Sequence, residues 1–262
     1  MNRFISLAKF EIFLCVAGLV ILLILKIAVM DRSDRRQRVW QEYSVLGTLC
    51  ERYGLYRKAR TLQMAALSEA RELGKDDARL AFSLIDLGHL NVELKNYDLA
   101  SAQFDEAAGV LRNVVPKDKY GCDPRLLDGE TVRLAIEKAK YLEIVEKPED
   151  AKLAYLNGIS IFDRKCANQV PLDLANLNRI SKAFSAYCKL ASPATSLAPA
   201  RTLLDSLRWR SIAGALTEEM RNDMVTSFTS LVQSTTAPAD LKQKLIAKLD
   251  SDLFSSNFSG PK

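Results

Sequence analysis

The stretch "LGTLCERYGLYRKA" at residues 46–59 returns as "LGHLNVELKNYDLA" at 87–100, forty-one residues further on. Both begin with Leu-Gly, and both place a Tyr three residues before a closing Ala. A pattern written twice at a fixed offset restricts the fold strongly. Each unit must bury an apolar face on a similar neighbour, because one hairpin alone leaves that face in water. Composition adds the type of element. The 262 residues are 48% apolar and 26% charged, with 11 Gly and 8 Pro, a balance that favours helix. Alternating Val/Ile/Thr runs bounded by Gly or Asn turns, the mark of sheet, are absent from the sequence.

The spacing within the units carries a family resemblance. Tyr43, Leu46, Gly47 and Cys50 follow an aromatic-x2-Leu-Gly-x2-aromatic pattern with Cys in the last place, and Leu84, Leu87, Gly88 and Asn91 repeat it. Ala59 and Ala100 each lie twelve residues beyond the glycine, and Phe104 and Ala107 extend the second unit. This resembles the tetratricopeptide repeat (TPR) family, which implies pairs of antiparallel helices stacked into a right-handed solenoid. On that likeness Leu46, Gly47, Tyr56 and Ala59, with Leu87, Gly88, Tyr97, Ala100 and Phe104, are repeat-packing residues. The usual unit is about 34 residues long. The seven extra residues here amount to about two helical turns, which keeps buried faces in phase. Gly74 suits a helix C-cap, with an Asp of "KDD" capping the next helix.

A third unit lies in "LAIEKAKYLEIVEKPEDAKLAYLNGISIF", residues 134–162. Ala151 lies twelve residues after Ala139, and Tyr155 and Gly158 fall at the spacing of Phe104 and Ala107. The excess length falls in residues 113–130, read as a loop. Periodicity predicts a fourth pair over 172–190 and 197–208, in open register, and closing helices over 217–233 and 238–254. The expected layout is a short tail at 1–9, an anchor at 10–30, a basic linker at 31–38, repeats over 39–209, capping helices over 210–256 and a tail at 257–262.

The anchor is "FEIFLCVAGLVILLILKIAVM", residues 10–30, with Glu11 and Lys26 as its only charges. Twenty-one helical residues span a hydrocarbon core of about 30 Å. The run is longer than a signal-peptide core, and no small-x-small cleavage site comes after it. The sequence therefore implies a single-pass membrane protein. Residues 1–38 carry seven basic and three acidic side chains, so the basic charge belongs to this end and gives no case for nucleic-acid binding. Four flanking arginines (Arg32, Arg35, Arg36 and Arg38) lean the topology towards a cytoplasmic C-terminal domain, whereas single N-terminal anchors commonly export the domain behind them; the side stays open.

Chemistry-bearing motifs are few. One histidine, His89, rules out a multi-His metal site; Gly74-Lys75 lacks the glycine of a phosphate loop; no two cysteines stand three apart. The expectation is no catalytic residue, no metal and no cofactor. His89 comes directly after Gly88, which on the TPR likeness directs it into a concave groove. Phe82, Ile85, Asp86 and Glu93 of its unit would line that groove, beside Ser44, Thr48 and Arg52 of the first and Arg133, Ile136 and Lys140 of the third. Cys122 and Cys166 flank the third hairpin at the same end, so a disulfide is geometrically available to them, against the alternative of two unrelated thiols. The resemblance implies a non-catalytic scaffold capturing a protein or peptide at a membrane surface. Two alternatives stand beside it: a structural subunit that self-associates or stacks into a larger assembly, and an enzyme built on acidic residues such as Asp86, Glu93 and Glu137.

Overall fold

The computed structural model describes residues 34–114, 123–166, 173–192, 196–206 and 212–254. Among these residues every regular element is helical: α1 (34–52), α2 (Tyr56–Leu73), α3 (Ala78–Glu93), α4 (Tyr97–Asn113), α5 (Pro124–Ile144), α6 (Pro148–Lys165), α7 (Leu174–Leu190), α8 (Ala198–Asp205), α9 (Glu218–Gln233) and α10 (Ala239–Phe254), with a 3-10 turn at Ala213–Ala215. From α2 to α7 each helix packs on the next in sequence; α3 also meets α5, and α5 meets α7. The chain is an all-α helical repeat. Helix α9 lies on α7, and α10 closes over α8 and α9.

The turns repeat as faithfully as the helices. Three hairpins are joined by three residues whose middle member has a left-handed backbone: Gly54 (φ 71°), Lys95 (φ 60°) and Glu146 (φ 59°). In each, the third residue donates its amide to the carbonyl five residues earlier: Leu55 to Cys50 at 2.9 Å, Asn96 to Asn91 at 2.7 Å, Lys147 to Leu142 at 2.9 Å. This satisfies a carbonyl that the helix end leaves without a partner. Side-chain caps start other helices: Asp77, Asp123, Asp173 and Thr217 accept from amides of the first turns of α3, α5, α7 and α9. Gly74 caps α2 at φ 129°, as the sequence implies.

Packing within each hairpin rests on a small residue, an alanine twelve residues later and a larger side chain four beyond that. The sets are Gly47/Ala59/Gln63, Gly88/Ala100/Phe104 and Ala139/Ala151/Tyr155; the same spacing recurs at Cys188/Ala200/Leu204, which share one core cluster although α7 packs on α9 rather than on α8. All four alanines have no exposed surface. A Cβ on Gly88 would come within 2.4 Å of the Phe104 ring, whereas one on Gly47 would meet the flexible end of Gln63 at 2.9 Å.

Several sequence boundaries move. Helix α1 takes in residues 34–38, read as linker, and Arg36 pairs with Glu69 and Glu72 at 3.5 Å. Helix α5 begins at Pro124, so residues 124–130 of the expected loop are helical, capped by Asp123. Leu46 is 48% exposed, so it is not among the buried packing residues of its unit. The anchor at 10–30 lies outside the described residues, and among those described no helix is long and apolar enough to cross a membrane.

Gly88→Ala is expected to lower unfolding free energy by about 1–3 kcal/mol in urea titration, because a buried ring must move. Gly47→Ala should stay within about 1 kcal/mol of wild type. Lys95→Gly and Glu146→Gly relieve left-handed strain and should each raise stability by up to about 1 kcal/mol; a loss at both positions would contradict the turn geometry.

Candidate functional site

The odd-numbered helices form one layer, and its middle is charged rather than open. His89 of α3 stands between two carboxylates on different helices: its Nδ1 is 3.0 Å from Glu137 Oε2 on α5, and its Nε2 is 3.3 Å from Glu51 Oε1 on α1. An imidazolium donates at both nitrogens, so both carboxylates are served by the protonated ring. The hydrogen bond with Glu137, then that with Glu51, outweighs the burial that opposes charge, and the imidazole is pushed up to about 10. Burial works to raise the Glu137 carboxyl, but His89 and Lys140 overcome it and hold the group at about 2. Lys140 Nζ completes the cluster, 2.8 Å from Glu137 Oε1.

A second cluster lies one helical turn away. Arg133 of α5 pairs with Asp86 of α3 and, at 3.2 Å, with Glu130 of its own helix. Burial alone would lower the guanidinium; Asp86 and Glu130 hold it above its ordinary range. Burial lifts the Glu130 carboxyl above its usual value even beside that arginine. Arg179 of α7 donates to Asn176 at 2.8 Å, and burial followed by the charge of Arg133 lowers it. Desolvated charge with partners on adjacent helices resists separation, because removing one member strands the other.

Of the groove residues expected from sequence, Asp86 and Arg133 pair with each other, and His89 and Lys140 both pair with Glu137. Phe82, Ile85 and Ile136 do not line a groove: they are 8%, 0% and 1% exposed. Helix α3 is enclosed by its neighbours, and all but three of its sixteen residues are buried. Ser44 is half-buried, and its carbonyl accepts from Thr48 and Gln63. Ser44, Thr48 and Arg52 line, with Val45 and Leu49, a concavity of about 330 Å³ on α1, apart from both clusters, and Glu93 is exposed. Cys122 lies outside the described residues, while Cys166 is a buried thiol that burial pushes up to about 11.

Sequence reasoning missed Glu51, Glu130 and Arg179. It also missed the role of Asn91, which replaces the pattern's second aromatic. Asn91 is fully buried; its carbonyl oxygen accepts from Arg60 at 3.0 Å and Asn96 at 3.2 Å, and its amide donates to Gln103 at 2.7 Å. A polar side chain there joins α2, α3 and α4.

A larger concavity lies away from the charged middle. Helices α4, α5 and α6 enclose a groove of about 830 Å³, with Ala108, Leu111, Ala135 and Ile161 among its apolar lining. Its rim carries Arg112, Lys138 and Asp105, the last two paired at 2.6 Å. Among the described residues no cluster of three or more His, Cys, Asp or Glu is placed to hold a metal ion.

No family model and no curated protein sequence matches the chain. Its fold is similar to the crystal structure of BtubC (BKLC) from P. vanneervenii, with a TM-score of 0.54 and 18% identity over 86% of this chain and 85% of that chain. At that identity the likeness extends to the fold alone.

The two clamp groups set opposite limits on stability. Below pH 6.5 the imidazole is protonated folded or unfolded, and its contribution is complete; it declines between pH 6.5 and about 10, where only the folded chain keeps the proton. Glu137 contributes fully above pH 4.5 and loses that contribution as pH falls towards 2. His89→Gln should cost about 1–3 kcal/mol at pH 6, measured by urea unfolding, and the difference from wild type should vanish near pH 10. An equal difference at both pH values would contradict the charged clamp.

Proposed function

We propose that the chain is a TPR-like scaffold, a right-handed solenoid tethered to a bilayer by residues 10–30, that acts by binding a protein or peptide rather than by catalysis. The observation that carries this reading is the groove between α4, α5 and α6, whose apolar lining and charged rim suit a short amphipathic segment. The odd-helix face, where TPR likeness alone would put the ligand, is less suited to that role. Its charges neutralise one another, so a ligand would have to displace bonds already made. The likeness to BtubC supports the stacked fold and leaves the partner to be found.

A photo-crosslinking amino acid at Leu111 or Ile161, in the full chain in its native membrane, is expected to give one discrete heavier product. The same probe at exposed Glu93 should give none. A Leu111→Glu change should abolish the product obtained from Ile161 without loss of helicity. Crosslinking from Glu93 alone would move the binding face to the odd helices, and no product from any position would count against a binding role. The second reading, a subunit that associates with its own kind, is favoured by a different surface, the outer face of α1.

A further inference from the structure

Helix α1 is the first described element, and the side away from α3 exposes a continuous apolar row: Val45 is 59% exposed, Leu46 48%, Leu49 46% and Tyr53, just beyond the helix, 74%. Surface of this kind on a terminal unit normally carries polar residues or is covered. The row has a regular form. Arg38, Glu42, Val45, Leu49 and Arg52 alternate at spacings of four, three, four and three, so they form one seam along the helix. Glu42 and Arg52 close the two ends of its apolar centre, both exposed and neither ion-paired with a described residue. Ten residues apart, about 15 Å along the axis, they cannot reach each other within one helix.

We infer that this seam is the contact between two copies of the chain, related by a two-fold axis that sets their α1 helices antiparallel. With the axis level with position 47, Val45 of each copy meets Leu49 of the other, and Glu42 of each meets Arg52 of the other. Leu46 and Tyr53 flank the seam on one side and extend its apolar area. The charge order selects this orientation. A parallel pair in register would set Glu42 on Glu42 and Arg52 on Arg52, which like-charge repulsion opposes. An isologous contact needs a self-complementary patch, and opposite charges placed symmetrically about an apolar centre provide one. The inference does not rest on the α4–α6 groove, which lies on other helices, so either can fail without the other.

The test uses the full chain in detergent micelles, with protein mass measured by light scattering across a concentration series. Wild type is expected to form a dimer that dissociates on dilution. Glu42→Arg and Arg52→Glu each place like charges opposite one another and should weaken the dimer at least tenfold. The double variant, Glu42→Arg with Arg52→Glu, restores both pairs and should return affinity to within about threefold of wild type. Circular dichroism controls for folding, since all these positions are exposed. A monomeric wild type, a single variant that dimerises normally, or a double variant that stays monomeric would each overturn the inference. A monomer in vesicles whose added Tyr53→Trp fluorescence is quenched by brominated lipid would overturn it in favour of the bilayer as the occupant.

Discussion

A helical hairpin of about forty residues buries only one side of each helix, so the whole arrangement depends on how closely successive helices approach. That approach is set by Ala59, Ala100, Ala151 and Ala200, each without exposed surface. An alanine at this position lets the preceding helix come near enough for Phe104 or Tyr155 to pack on the small residue opposite. Where the first unit has Gln63 in place of a hydrophobe, the contact is more polar: Gln63 donates to the Ser44 carbonyl at 3.3 Å, and α1 leaves Val45, Leu46 and Leu49 exposed.

The join between units on the odd-helix side has a different chemistry. There α1, α3 and α5 meet through Glu51, His89 and Glu137, and through Asp86, Arg133 and Glu130. Ion pairs of this kind are costly to desolvate and gain little over an apolar contact. They do resist slippage, because a register shift would leave a buried charge alone. Apolar packing brings the helices together, and the charges fix which turn faces which.

Much of the hairpin packing was legible from sequence because small residues at fixed spacing have one economical explanation. Gly88 with Phe104, and Ala151 with Tyr155, behave as that spacing implies. The odd-helix clusters were hidden for a geometric reason. Their bridges join residues 38, 47 and 48 apart, three or four short of the 41- and 51-residue unit offsets. Neighbouring units therefore meet one helical turn out of step, and a reading that aligns equivalent positions sets His89 beside Lys140 rather than Glu137. Phe82 and Ile85 share the helix face of His89, but α3 is enclosed by its neighbours, so that face is buried and not a groove lining.

The central claim is that the charged odd-helix layer joins the units and is not an open binding surface. His89 is the chain's one histidine, so its imidazole gives an unambiguous NMR signal. A pH titration of that signal in the folded protein is the most direct measurement. The account predicts that the ring stays protonated through neutral pH and titrates near 10, with Glu51 and Glu137 as its partners. A midpoint near 6.5 would mean a solvated histidine in an open groove, and would contradict the account.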